Sequence, residues 1–285
     1  MALTINNNLL ALNTARNFGI TFDKLATSTQ RLSSGLRINS AADDAAGLAV
    51  SEIMRAEIAA LRQGIRNASD AQSMIQTADG SLSVIDEKLV RMKELAEQAA
   101  TGTYSNIQRS IMNSEFVQMR NEINRIAEAT RFNGVQLING SLSSIQTGHA
   151  EAGMKIHFGP TNLRTEDYYY IAVGNANGTG LGIDASTVTS QTGAQSALEE
   201  INNAILTKDN IRANLGAFSN RLSNTITQLS IQAENLQASE SRIRDADIAE
   251  EMTMFVNNQI KSQAAIAMLA QANIIPQMAL TLIGG

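Results

Sequence analysis

The sequence predicts a mainly α protein: a long antiparallel helical coiled-coil rod, a small β-hairpin-rich tip and a pair of terminal helices. Three observations carry this. Apolar residues step by three and four through Ile75, Ala78, Leu82, Ile85, Leu89, Met92, Ala96 and Ala99 without a miss, which is the seam of a heptad helix. Residues 1–159 contain no proline, the only two being Pro160 and Pro276, so nothing in the first half removes a helical backbone donor. Aromatic residues make up 4% of the chain, with no Trp, against 44% hydrophobic residues. Alanine, leucine, isoleucine and methionine must then fill the interior, which suits thin helical bundles better than a broad globular core.

Taken in order, the chain opens on a helix with very little charge. The first 36 residues carry Arg16, Asp23, Lys24 and Arg31 as their only charges, and the last 34 carry only Lys261. Ile5, Leu9, Leu12 and Ala15, then Phe22, Leu25, Leu32 and Leu36, recur at helical spacing at one end, and Phe255, Ile266 and Leu269 at the other. A surface helix normally gives water a charged face, so helices this poor in charge are expected to meet other protein surfaces. Leu9, Leu12, Phe22, Leu25, Leu32, Leu36, Phe255, Ile266 and Leu269 are therefore the candidate assembly interface.

The long helix is expected to start near Asp43, with Ser40 as its cap and Asp43 and Asp44 at the positive end of its dipole. It runs to Ala99, on the order of 80 Å at about 1.5 Å per residue. Gly102 and Ser105 break it before a second helix with Phe116, Met119, Ile123, Ile126 and Thr130 in register. A third series follows far downstream: Ile201, Ile205, Leu215, Leu222, Ile226, Leu229, Ala233, Leu236 and Ile243. Between them, Asn133-Gly134, Asn139-Gly140 and Asn177-Gly178 are turn signals around strand-like pieces at 135–138, 154–158 and 168–173. These pieces are expected at one end of the rod. The expected division is 1–42 and 246–285 as the two parts of a terminal helical domain, and 43–245 as the rod, with its tip at about 130–195.

Composition and motifs exclude most chemistry. A net charge of −5 gives no basic footprint for nucleic acid. There is no cysteine, hence no disulfide framework or thiolate. The uncharged run at 262–285 is interrupted by Gln263, Gln271, Asn273, Pro276 and Gln277, a poor match to the about 20 mostly apolar residues of a membrane span. His149 and His157 lack HExxH or other ligand spacing, and Gly178, Gly180 and Gly182 do not form a dinucleotide fingerprint. No catalytic residue, cofactor site or metal site is expected, and the chain is read as a non-enzyme. The N-terminus lacks a basic region followed by an apolar stretch, so an exported chain would use a route that reads no cleaved leader.

Particular strings carry a resemblance. Residues 33–49, Ser33-Ser34-Gly35-Leu36-Arg37-Ile38-Asn39-Ser40-Ala41-Ala42-Asp43-Asp44-Ala45-Ala46-Gly47-Leu48-Ala49, closely resemble the N-terminal signature of bacterial flagellins. Thr130-Arg131-Phe132-Asn133-Gly134-Val135 looks like the start of their β-hairpin, and Leu269-Ala270-Gln271-Ala272-Asn273 with Pro276-Gln277 looks like their C-terminal helix. The matches fall in the right order across nearly the whole chain. The resemblance implies a subunit that polymerises into the extracellular flagellar filament for motility. The paired terminal helices would form an inner tube, the long helices an outer one, and a spoke from about Ser34 to Ala46 would join them. It implies secretion through the flagellar type III export apparatus with an export chaperone, and filament cap and junction proteins as further partners. The middle, at some sixty residues, has no room for a large inserted outer domain. The alternatives are a hook–filament junction protein, a flagellin with an embedded zinc peptidase, which would need the missing HExxH, and a membrane-active secreted protein.

The resemblance also implies a receptor site. Arg91, Leu95 and, on the following helix, Glu115 are similar to the flagellin surface read by Toll-like receptor 5. Arg91 and Leu95 are four apart and share a helix face, offset from the Met92/Ala96 stripe, so both are expected at the surface. Val90 departs from that surface, where stimulating members commonly carry Gln.

Overall fold

The heptad series become helices α1 (Leu9–Ser34), α2 (Ala45–Ala100), α3 (Asn106–Ala129), α5 (Gln191–Arg244) and α6 (Ile248–Ile283). The middle supplies short strands β1 (Arg131–Phe132), β2 (Val135–Gln136), β3 (Met154–His157) and β4 (Tyr168–Ile171), and a one-turn helix α4 (Gly178–Leu181). The computed structural model describes residues 7–143, 153–163 and 166–283. The chain forms two units, Met1–Ala56 with Asn235–Gly285, and Glu57–Glu234; the division falls inside α2 and α5.

In the Glu57–Glu234 unit α2 and α5 pack antiparallel. Two ion pairs fix the direction: Lys208 meets Asp86, and Arg212 Nε meets Asp79 Oδ1 at 2.7 Å, so rising numbers on α5 face falling numbers on α2. The seam read from the sequence, Ile75 through Ala99, is buried along its whole length, as are Ile201, Leu215 and Leu222. The buried stripe is wider than that seam, taking in Met74 beside Ile75 and Leu95 beside Ala96. A helix buries consecutive positions like these when it is covered from two sides, which α5 and α3 supply.

Helix α3 begins with a full capping box. Ser105 Oγ accepts from Gln108 N, and Gln108 Oε1 accepts from Ser105 N at 2.8 Å, which satisfies two orphan donors reciprocally. One turn on, the buried Arg109 donates through Nε to Ala99 O and through Nη2 to Thr101 O, at 2.8 and 2.9 Å. A cation is thus held on the carbonyl end of α2, where both the dipole and the unpaired carbonyls favour it. The body of α3 lays down the irregular 177–188 segment. Asn124 Oδ1 accepts from Gly178 N, Asn113 Oδ1 accepts from Val188 N, and Arg120 donates to Asp184 O.

The first hairpin pairs Arg131 with Gln136 and Phe132 with Val135. Its two turn residues both take positive φ, Asn133 at 47° and Gly134 at 82°, the left-handed pair that Asn-Gly supplies in a two-residue turn. The second pairs Met154–His157 with Tyr168–Ile171 antiparallel. Its Phe158 carbonyl oxygen lies 1.8 Å from where a Cβ on Gly64 would stand, and Asn67 Nδ2 donates to His157 O at 2.8 Å. The strands therefore lie along the flank of α2, whereas the sequence suggested one end of the rod. The absent side chain of Gly64, inside an otherwise regular heptad, is what admits them. After β3, the Asp167 carboxylate accepts from Thr161 Oγ1 and from Leu163 N. Burial pushes its pKa up, but these hydrogen bonds outweigh burial and hold it below the ordinary value.

In the other unit α1 and α6 pack against each other. Ala11, Thr14, Phe18, Thr21, Leu25, Ser28 and Leu32 on α1, and Glu251, Phe255, Asn258, Ser262, Ala265, Leu269 and Ala272 on α6, are among its half-buried or buried positions. Each set steps by three and four, a two-helix heptad seam. Pro276 lies inside α6 instead of ending it. A proline lacks the N–H that would have bonded to Ala272 O, four residues back. That carbonyl accepts instead from Asn8 Nδ2 at 2.8 Å, while Asn8 Oδ1 caps α1 by accepting from Ala11 N at 3.0 Å.

Candidate assembly surface

The α1–α6 pair is filled differently from the Glu57–Glu234 unit. Its seam mixes Ala, Ser and Thr with the half-buried Phe18, Leu25, Leu32, Phe255 and Leu269, while other large apolar side chains point outward. Leu9 is 66% exposed, Leu12 60%, Phe22 54% and Ile266 55%, and Ile20, Met252, Ile260 and Met268 stand out beside them. Fully covering one such side chain is favourable by roughly 1.5–3 kcal/mol. The candidate interface residues therefore divide: Leu9, Leu12, Phe22 and Ile266 are on the free outer face, while Leu25, Leu32, Phe255 and Leu269 are half-buried in the seam. Leu36 is half-buried too, held in an antiparallel bridge with Asp245.

That bridge belongs to a corner that turns the chain out of α1. Gly35 closes α1 in the left-handed conformation at φ 71°, which glycine adopts without strain. Arg37 N donates to Arg244 O at 2.7 Å and Ala246 N donates to Gly35 O at 3.0 Å. Ile38 is buried over Gly47, where a Cβ would come within 2.8 Å of its Cδ1. The cap of α2 is Asp44, accepting from Gly47 N at 2.8 Å, and not Ser40. Ser40 serves Asp43 instead: the N–H groups of Ser40 and Asn39, with Ser40 Oγ, converge on Asp43 Oδ2 and lower its pKa. Arg31 pairs with the buried Glu251 at 3.5 Å, and Arg244 with Glu52 at 2.8 Å. The Nε atoms of Arg31 and Arg244 are buried without a hydrogen-bond partner. The motif-rich stretch 33–49 is thus a backbone-paired corner, not a ligand site.

On the Glu57–Glu234 unit, Arg91 is exposed, with Nε on Glu115 Oε1 and Nη1 on Glu94 Oε2, each at 2.9 Å. The Glu115 hydrogen bond, then that of Glu94, raises its pKa. Leu95 is corrected by the structure: it is 2% exposed and part of the core. It lies three residues after Met92 and four before Ala99, so it belongs to the second buried row of α2. No single-stripe reading of the heptad shows that row. His157 stacks on Tyr168 with ring centroids 6.0 Å apart, and His149 lies outside the described residues. Among the described residues no cluster of ligating side chains could hold a metal, and no helix is long and apolar enough to cross a membrane. Arg109, Asn8 and Lys208 escaped the sequence reading, because their partners are backbone carbonyls or residues far away in the chain.

The comparisons agree with this geometry. The bacterial flagellin N-terminal helical region matches residues 5–143, and the bacterial flagellin C-terminal helical region matches residues 198–283, together more than half of the chain. A flagellin of Halalkalibacterium halodurans is 42% identical over 282 residues, covering 99% of this chain and all of that one. Flagellin FlaB1 of Treponema pallidum is 39% identical over 286 residues at the same coverage. A solved structure described as a flagellar hook-associated protein from Vibrio parahaemolyticus has a TM-score of 0.52, covering 71% of this chain and all of that one at 16% identity, a likeness of fold alone. With N- and C-terminal helical regions, no large insert and about the length of these relatives, the chain belongs to the bacterial flagellins, and it is a structural subunit of the flagellar filament, not an enzyme.

Proposed function

We propose that the outward apolar faces of α1 and α6 are the surface through which copies of this chain bind one another in the filament. Residues 1–42 and 246–285 would supply its inner layer, and 43–245 the layer around it. The observation behind this reading is the row of large apolar side chains the pair leaves outside its seam. Side chains as large as Leu12, Phe22 and Ile266 are left in water while Ser28, Ser262 and Ala272 are buried. Replacing Leu12 and Ile266 together by Lys keeps helix propensity and places two cations on that face. Seeded with wild-type filament fragments, this variant should form no filaments by electron microscopy while its circular dichroism stays unchanged. Filaments of normal length from it would overturn the proposal.

Apolar ends of this kind need cover before assembly, which fits an export chaperone and passage through the flagellar export apparatus, with cap and junction proteins at the filament ends. Pull-down with the full chain and with one lacking residues 246–285 tests the chaperone: loss of capture with the truncation is expected. The filament would be extracellular. Relatives named flagellar filament core proteins from Brachyspira hyodysenteriae and Treponema species favour a periplasmic filament as the second reading. Protease shaving of intact cells separates the two, since only an extracellular filament is lost. Arg91 and Glu115 are proposed as the receptor-facing pair for Toll-like receptor 5, with Leu95 shaping the surface from beneath. A reporter-cell assay of Arg91→Ala monomer should show weakened signalling. An unchanged response from a folded variant would remove the pair from the site.

A further inference from the structure

The chain contains Asn-Gly pairs at 133–134, 139–140 and 177–178, and the structure treats them very differently. We infer that Asn133 is a site of spontaneous covalent modification, deamidating in the folded protein while Asn139 and Asn177 are protected. The chemistry needs only water. The backbone nitrogen of Gly134 attacks Cγ of Asn133, the side-chain amide leaves as ammonia, and a five-membered imide forms. Water then opens either imide carbonyl, giving aspartate or its isomer with the backbone rerouted through Cγ.

Three conditions favour the attack, and Asn133 meets them all. The following residue must lack a side chain, the Asn amide must be free, and the backbone must be able to swing. Asn133 and Gly134 are exposed, and among the described residues the Asn133 side chain makes no hydrogen bond. The pairs Arg131–Gln136 and Phe132–Val135, with Leu137 N on Thr130 O at 3.2 Å, hold the turn from its base, and so short a ladder opens easily. The other two sites fail. Asn139 Nδ2 donates to Gln136 Oε1 at 2.6 Å and its Oδ1 accepts from Ser141 N at 3.0 Å, beside a buried Gly140. Asn177 Oδ1 caps α4 by accepting from Gly180 N at 2.8 Å. The would-be nucleophile after it, Gly178 N, is buried and donates to Asn124 Oδ1 at 2.6 Å. Three equal sequences thus meet one open and two locked environments.

The product matters to the fold. The isomeric aspartate adds a methylene to a two-residue turn whose geometry depends on φ of 47° and 82°, and it brings a negative charge. The β1–β2 pairing then loses the register that delivers Leu137 N to Thr130 O at 3.2 Å. The test is to age the intact wild-type chain at mildly alkaline pH, folded and in denaturant, and to map all three sites by peptide mass spectrometry with enzymatic labelling of isoaspartate. Conversion confined to the peptide holding Asn133 in the folded sample, with the three sites converting at comparable rates in denaturant, is the expected result. Equal conversion at the three sites in the folded chain, earlier conversion at Asn139 or Asn177, or no conversion at Asn133 while the denatured chain converts, would each overturn the inference.

Discussion

The two units of this chain use the same heptad period and fill it differently. Between Glu57 and Glu234 the period selects Leu82, Ile85, Leu89, Met92, Phe116 and Ile123, all fully buried. In the α1–α6 pair its buried positions are Ser28, Glu251, Ser262 and Ala272, its Phe and Leu seam residues are only half-buried, and further Leu, Ile, Met and Phe side chains are left in water. Periodicity tells which residues of a helix share a face. The size of the residues on that face tells whether the partner belongs to the same chain. Large residues fully buried inside give a unit much of its burial alone; large ones left outside give a unit with burial still to gain from a partner.

The sharpest way to break the comparison is to cut it. Removing residues 266–285 should abolish polymerisation onto wild-type seeds, with the cooperative helical melt of the Glu57–Glu234 unit retained in circular dichroism. A truncated chain that still polymerises would erase the distinction between the units. Next comes Phe116→Ala, which empties a fully buried site and should cost about 3–5 kcal/mol in a denaturant melt. Its counterpart Phe22→Ala should change the monomer's melt by less than about 0.5 kcal/mol and yet weaken assembly. Asn8→Ala removes both a cap and the donor to Ala272 O. It should cost about 1–2 kcal/mol, read as roughly tenfold faster amide exchange near Ala11. The smallest effect is Asp167. Its folded pKa lies below the unfolded one, so its stabilisation is fully present above the usual carboxylate value of about 3.9 and fades as pH falls through the lowered folded value. Near-ultraviolet dichroism of Tyr168 and Tyr169 should begin to change only in that acid window, and in Asp167→Asn the acid transition should disappear.

Legibility in the sequence followed the range of the interactions. The seam from Ile75 to Ala99, the helix break at Gly102 and Ser105 and the Asn133-Gly134 turn depend on neighbours within a few residues, and they were readable. Asn177-Gly178 carries the same dipeptide, yet it starts a helical turn, because Asn124 on α3 claims the Gly178 N–H. Leu95 was misplaced because one helix with two neighbours buries two adjacent rows, and a single sequence shows the period but not how many partners a helix has. For the candidate interface, charge depletion singled out α1 and α6. It could not separate Leu12 and Ile266, which face water, from Leu25 and Leu269, which face each other's helices across the seam.

Asn8 and Pro276 have a consequence for how the pair comes together. A proline within a helix costs about 3 kcal/mol relative to alanine, so the stretch of α6 around it is poorly helical by itself. The side-chain amide that occupies the vacated carbonyl comes from a residue 264 positions away from Ala272. The final turns of α6 are therefore helped by the arrival of α1 in the correct alignment: a shift of one residue would carry the Asn8 amide away from the carbonyl, while its cap on Ala11 N, internal to α1, would stay made. Pro276 thereby works as a proofreading step, because a misaligned pair retains an unmet carbonyl and a frayed end.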